Sequence, residues 1–250
     1  MRTYVRHLGL LLTISIMFTS LALRAQKADS AAPTDKDFLP AGPFLFEPGT
    51  VHPTYLDAFD TRPLLKSPDG KLGVTVTGPR ESYEAWVTIS PSTFPNGPVQ
   101  VWPIQASVDV LWRPDSGAFA LTDNRYADHS FALVFGTRFR IGEDGPGLGV
   151  PITDLTPIVQ GAFDEHARKY YGSQGYDSLL FYAKVLRWIG SDCLLVGLDA
   201  RTYNPQVAPP GTFGNKEWFL AYIIAIPGGR VIRELDEGQL LSEYGIKIRY

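Results

Sequence analysis

The sequence predicts a mainly β domain: antiparallel hairpin repeats forming an incomplete or open propeller-like or sandwich domain, with one inserted helix. Three observations lead there. A tight turn followed by alternating residues runs Ser67-Pro-Asp-Gly-Lys-Leu-Gly-Val-Thr-Val-Thr77, and returns as Val108-Asp-Val-Leu-Trp-Arg-Pro-Asp-Ser-Gly-Ala-Phe-Ala-Leu-Thr-Asp123; a period of two marks a half-buried strand. The 24 Gly and 20 Pro residues fall mostly between such runs, where they act as turn signals. One stretch only, residues 156–171, has convincing helical spacing and end signals.

In chain order, residues 1–25 read as a secretory signal peptide. Arg2, Arg6 and His7 precede the apolar run Leu8–Phe18, and small residues lead to Ala25. The run is interrupted by Gly9, Thr13 and Ser15 and is shorter than the roughly 20 residues needed to cross a bilayer, so cleavage is expected rather than anchoring. Residues 26–37 are polar and free of aromatic groups, the composition of a disordered lead-in. Residues 38–250 are then expected to form a single mainly β domain. Within it, Phe44, Phe46, Tyr55 and Phe59 alternate with prolines through residue 63, which suggests an extended segment laid across the domain rather than a regular element.

The two turns place Asp69 and Asp115 46 residues apart, about one propeller-blade length. Each is followed by a second β-rich run, Tyr83–Ile89 and Ser130–Phe135 respectively. A degraded third copy, Val185–Leu198, keeps a tryptophan at Trp188 where the second has Trp112 but loses Pro-Asp; Trp218–Ile232 follows it. Trp112-Arg-Pro-Asp-Ser-Gly and Ser67-Pro-Asp-Gly-Lys resemble the strand-turn repeat of periplasmic β-propellers of the TolB-like kind. That resemblance spans about a third of the mature chain and implies a binding platform or a substrate-gating domain. Two clear copies and one degraded copy fall short of the four or more blades of closed propellers, so an open stack or a sandwich is expected.

The helix begins with Thr156 as a capping residue and Pro157 in its first turn, and Gly172 ends it. Val159, Ala162, Phe163, His166 and Tyr170 share one face at helical spacing, which predicts a structural, hydrogen-bonded His166 facing the sheet. The final segment, Tyr244–Tyr250, alternates as a closing strand. Its terminal aromatic resembles that of outer-membrane barrels, yet the remaining apolar runs are broken by proline and lack the even ten-residue alternation of a barrel. Membrane insertion is therefore not expected.

The formal net charge is −3 and the Lys and Arg residues are scattered, which argues against a nucleic-acid partner. Cys193 is the single cysteine and lies in an apolar run, so it reads as a buried small side chain. The densest polar loop, Asp123–Ser130, supplies Asp123, Asn124, Asp128 and His129 as candidate binding residues. Tyr203, on the proline-rich excursion 203–214, extends that candidate edge, because long loops on rigid scaffolds often carry recognition. The acidic spacing matches no calcium loop, the histidines have no zinc spacing, and no Gly-x-Ser-x-Gly turn or phosphate loop occurs. No metal, cofactor or catalytic residue is assigned.

These features together predict an exported protein, periplasmic or secreted, that binds a protein or small-molecule partner without catalysis. The alternative is an exported hydrolase with its site near residues 123–130. Ala22 and Ala25 close the apolar region, so the N-terminus of the exported form is expected between about residues 22 and 27. Mass spectrometry of exported protein checks this, and an intact Met1 would refute it.

Overall fold

Turn chemistry generates the repeats. In the first turn, Ser67 Oγ donates to Asp69 Oδ1 (2.7 Å), the Lys71 amide donates to the same oxygen, and Gly70 takes φ +72°. In the second, the Gly117 amide donates to Asp115 Oδ1 (2.9 Å) and Ser116 occupies the position of Gly70 with φ +61°. A left-handed conformation is uncommon for a residue with a Cβ. Here the Ser116 hydroxyl accepts a hydrogen bond from the Asp69 amide (3.1 Å), so this serine joins the two turns to each other.

The computed structural model describes residues 44–57, 64–78, 85–91, 98–124, 129–137, 152–171, 179–202 and 217–248, all within the unit Leu39–Tyr250. The expected signal peptide and lead-in lie outside the described residues. Strands β1 (Phe44–Phe46) and β2 (Thr54–Asp57) come first. Three antiparallel meanders follow: β3 (Leu65–Lys66), β4 (Leu72–Thr77), β5 (Ala85–Pro91) and β6 (Val99–Ile104); then β7 (Ser107–Trp112), β8 (Ala118–Asp123), β9 (His129–Gly136) and β10 (Thr153–Asp154); then β11 (Leu179–Ile189), β12 (Cys193–Thr202), β13 (Glu217–Ala225) and β14 (Val231–Leu235). Helix α1 (Thr156–Tyr171) interrupts the series between β10 and β11, and α2 (Glu237–Tyr244) with β15 (Ile246–Ile248) completes it.

The second and third meanders belong to one hydrogen-bonded sheet, in the order β14-β13-β12-β11-β9-β8-β7-β2, with β10 also on β9. Their junction is a short parallel contact, Phe181 against His129 and Tyr182 against Ser130. Beyond it, side-chain hydroxyls take over from the ladder: Ser130 Oγ donates to the Ala183 carbonyl (2.8 Å), and the Val185 amide donates to Thr122 Oγ1 (3.0 Å).

Three apolar layers separate the elements. Val74, Val87, Ile89 and Val101 of the first meander meet Val108, Val110, Phe119, Leu121 and Phe135 of the second, where the Phe119 and Phe135 rings stack with centroids 5.2 Å apart. The opposite face of the second meander carries small residues, Ala118, Ala120 and Ala132. Against them pack Phe163 of α1 and Phe181, Val185 and Trp188 of the third meander. The far face of the third meander meets Phe44 of β1, Leu240 of α2, and Ile246 and Ile248 of β15. At Gly197 a Cβ would lie 2.5 Å from the Phe44 ring, so only glycine permits that approach.

The two repeat tryptophans act alike. Trp112 Nε1 donates to the Leu65 carbonyl and Trp188 Nε1 to the Leu111 carbonyl, each at 3.2 Å. Leu65 and Leu111 are separated by the same 46 residues as Asp69 and Asp115, so each indole reaches back to the same position of the preceding meander.

Several sequence expectations need correction. A second helix, α2, is present; its signal was the capping box Asp236/Gln239 and the left-handed Gly245 (φ +65°). The segment after residue 38 forms regular strands where it is described, because β1 finds β15 and β2 finds β7. Thr156 does not cap α1: its hydroxyl accepts from the Ala132 amide of β9, and Asp154 Oδ1 accepts from the Thr156 amide (3.0 Å). Among the described residues no helix is long and apolar enough to cross a membrane.

Trp112 and Trp188 each fill a layer and hold an inter-meander hydrogen bond. Replacing either with alanine is expected to destabilise the protein by about 3–5 kcal/mol. Denaturant melts check this; a loss under about 1 kcal/mol would break the equivalence of the repeats.

Candidate functional site

Asp123 ends β8 and Asn124 follows it directly, so their side chains point to opposite sides, and this sets their different surroundings. Asp123 is fully buried, and its Oδ2 accepts a hydrogen bond from Trp102 Nε1 of β6 (2.8 Å). Asn124 turns the other way. Its Nδ2 donates to Asp109 Oδ2 (3.2 Å) and reaches Ser107 Oγ (3.4 Å), while its Oδ1 accepts from Lys184 Nζ of β11. The two residues therefore tie the second meander to the first and third, respectively. His129 opens β9, where its backbone stands opposite Phe181; its side chain, like Asp128 and Tyr203, lies outside the described residues.

Asp109 is the least comfortable member of this network. It is fully buried, and among the described residues its Oδ1 has no hydrogen-bond partner. Burial pushes its carboxyl pKa up to about 6, against the opposing pull of the Lys184 charge and the Asn124 hydrogen bond. With Asn124 bonded to both Asp109 and Lys184, the network is a seam between the second and third meanders.

A cleft of about 310 Å³ lies elsewhere, between α1 and strands β13 and β14. From α1 it receives Ile158, Ala162, Glu165 and His166, whose spacing of four, three and one places them on one helix face. Tyr222 and Glu234 stand directly opposite each other on β13 and β14, so their side chains project on the same side of the sheet. His166 Nδ1 lies 2.6 Å from Glu234 Oε1, which joins helix to strand.

Tyr222 is the unusual residue of this cleft. It is completely buried and faces the apolar layer with Leu220 and Ile224, yet among the described residues its hydroxyl has no hydrogen-bond partner. Desolvation first, and then the negative charges of Glu234 and Asp164, hold its pKa well above the ordinary phenol range. The phenol is therefore neutral at physiological pH and keeps both a donor and an acceptor for use.

Chemically, the cleft offers that neutral phenol, an imidazole held by a carboxylate, a second carboxylate at Glu165, and an aliphatic wall of Ile158, Ala162 and Val231. The helical pattern gave His166 a structural place facing the sheet, and it does hydrogen-bond to the sheet, through Glu234. Tyr222 and Glu234 were missed. The available signal was a tyrosine among inward-facing aliphatic residues of β13; its neighbour His166 is remote in the chain. No family model, no curated protein and no solved structure matches this chain.

The Asp109 carboxyl binds its proton more tightly in the folded state (pKa about 6) than at its ordinary value of 3.8. Its contribution to stability is therefore most favourable below about pH 4 and is lost as pH rises through 6, a change of about 3 kcal/mol. Urea melts of the wild type and Asp109→Asn across this range check it: the stability advantage of the wild type over the variant should shrink with rising pH. A difference that stays constant would contradict the assignment.

Proposed function

We propose that this protein is an exported binding module without catalytic activity, and that it holds a small molecule in the cleft between α1 and strands β13 and β14. The buried Tyr222 hydroxyl carries this reading. An unsatisfied buried polar group costs about 1–3 kcal/mol, and a ligand that supplies the missing hydrogen bond gives the group a use. The cleft combines an aliphatic wall of Ile158, Ala162 and Val231 with the convergent polar groups of Glu165, His166, Tyr222 and Glu234, and a small-molecule site needs both kinds of surface.

The scaffold supports the same reading. Its meanders place α1 across a rigid sheet, so the polar groups are presented on regular elements and held in place by packing. The strand-turn resemblance to TolB-like repeat proteins belongs to this proposal too: indole-to-carbonyl bonds at matching repeat positions, and turns joined through Ser116, are consistent with blade-like units built for binding. A hydrolase centred on residues 123–130 draws no support from Asp123 and Asn124, whose side chains are occupied in joining meanders.

Tyr222→Phe tests the proposal. If the hydroxyl awaits a ligand, the unliganded variant should be at least as stable as the wild type and gain up to about 1 kcal/mol, since an unpaired buried group has been removed. Small molecules that raise the melting temperature of the wild type should lose that effect in the variant. A variant destabilised by more than about 1 kcal/mol would assign the hydroxyl to the fold and refute the reading.

A further inference from the structure

We infer that the ligand class of this cleft is an organic ammonium ion carried on a small apolar body. This rests on the binding reading above and deepens it. The described lining holds two carboxylates, Glu165 on α1 and Glu234 on β14, and a single imidazole; no Lys or Arg occurs among the described lining residues. One imidazole can neutralise at most one of the two carboxylates, so among the described lining residues negative charge exceeds positive even when His166 is protonated.

Geometry places the charge where an ammonium group could use it. Glu234 is opposite Tyr222 across the β13–β14 ladder, and Glu165 precedes His166 on the helix face that covers them. An ammonium group donates up to three hydrogen bonds, which the phenol oxygen and the carboxylates can accept. The Tyr222 side chain belongs to the cleft lining and its hydroxyl is buried and, among the described residues, without a partner, so it offers an acceptor to a group that enters beside it. Asp164 and Glu234 both act on that phenol through their negative charge, a field that favours a cation beside it. Ile158, Ala162 and Val231 provide the apolar surface for the body of the ligand. An anionic ligand would meet the same carboxylates as repulsion.

Three probes of similar size separate the possibilities: phenethylammonium, the neutral 2-phenylethanol, and 3-phenylpropanoate. Binding to the full chain is measured by calorimetry at low salt and pH 7.5, and located by the proton resonances of the His166 ring. Phenethylammonium is expected to bind about tenfold more tightly than the alcohol, the size of effect that two partly exposed carboxylates supply, with the carboxylate weakest. Glu165→Gln, on an exposed residue, should reduce the preference for ammonium over alcohol about threefold without unfolding the protein. Raising the salt should shrink the same preference. Equal or tighter binding of the alcohol or the carboxylate, with His166 shifted, would overturn the ammonium assignment and leave the cleft as a binding site. No binding of any probe at millimolar concentration would also overturn it, and the stability of Tyr222→Phe then judges the binding reading separately.

Discussion

Every residue of β7 and β8 is buried, so the second meander requires a partner on each side, and this requirement organises the rest of the molecule. Strands covered on both faces are usual in parallel sheets flanked by helices. Here antiparallel strands meet the same demand by accepting another meander on each face. Alternation along β7 serves both sides, since Val108, Val110 and Trp112 face the first meander while Leu111 faces the third. The indoles of Trp112 and Trp188 then set the alignment, because each must satisfy its N–H on one particular carbonyl of the meander before it.

Hydrophobic layering alone could continue indefinitely, and the two ends stop it differently. At one end, β1, β15 and α2 cover the far face of the third meander, with Phe44 seated against Gly197. At the other, alternation puts Thr75, Thr77, Thr88 and Ser90, together with Trp86, on the face of the first meander opposite its core, and the Thr77 and Thr88 hydroxyls pair at 2.7 Å. Helix α1 enters where Ala118, Ala120 and Ala132 leave room, and the cleft forms where its polar shoulder passes over β13 and β14.

Two buried groups bear their desolvation differently. Asp109 sits inside the scaffold with Asn124 and Lys184 beside it, and its raised pKa lets it take a proton when the pH falls. Tyr222 faces a space large enough for a guest, with negative charge around it and, among the described residues, no protein group on its hydroxyl. The first arrangement makes stability depend on pH. The second leaves a hydroxyl, with both a donor and an acceptor, at the edge of an otherwise apolar layer.

The strands after both Asp-containing turns, the equivalence of Trp112 and Trp188, and the helix over residues 156–171 were legible in the sequence, because turn hydrogen bonds and side-chain periodicity act over a few residues. The capping box of α2 was equally local and went unread. Tertiary structure alone decided where Asp123 and Asn124 point: they look like solvent-facing loop chemistry in the sequence, yet Asp123 is buried and Asn124 half-buried because Trp102 and Lys184 arrive from other meanders. The cleft follows the same rule. Glu165 and His166 come from a helix, and Tyr222 and Glu234 from a hairpin more than 50 residues later; only the packing of that helix on that hairpin brings them together, a long-range contact that no local pattern encodes.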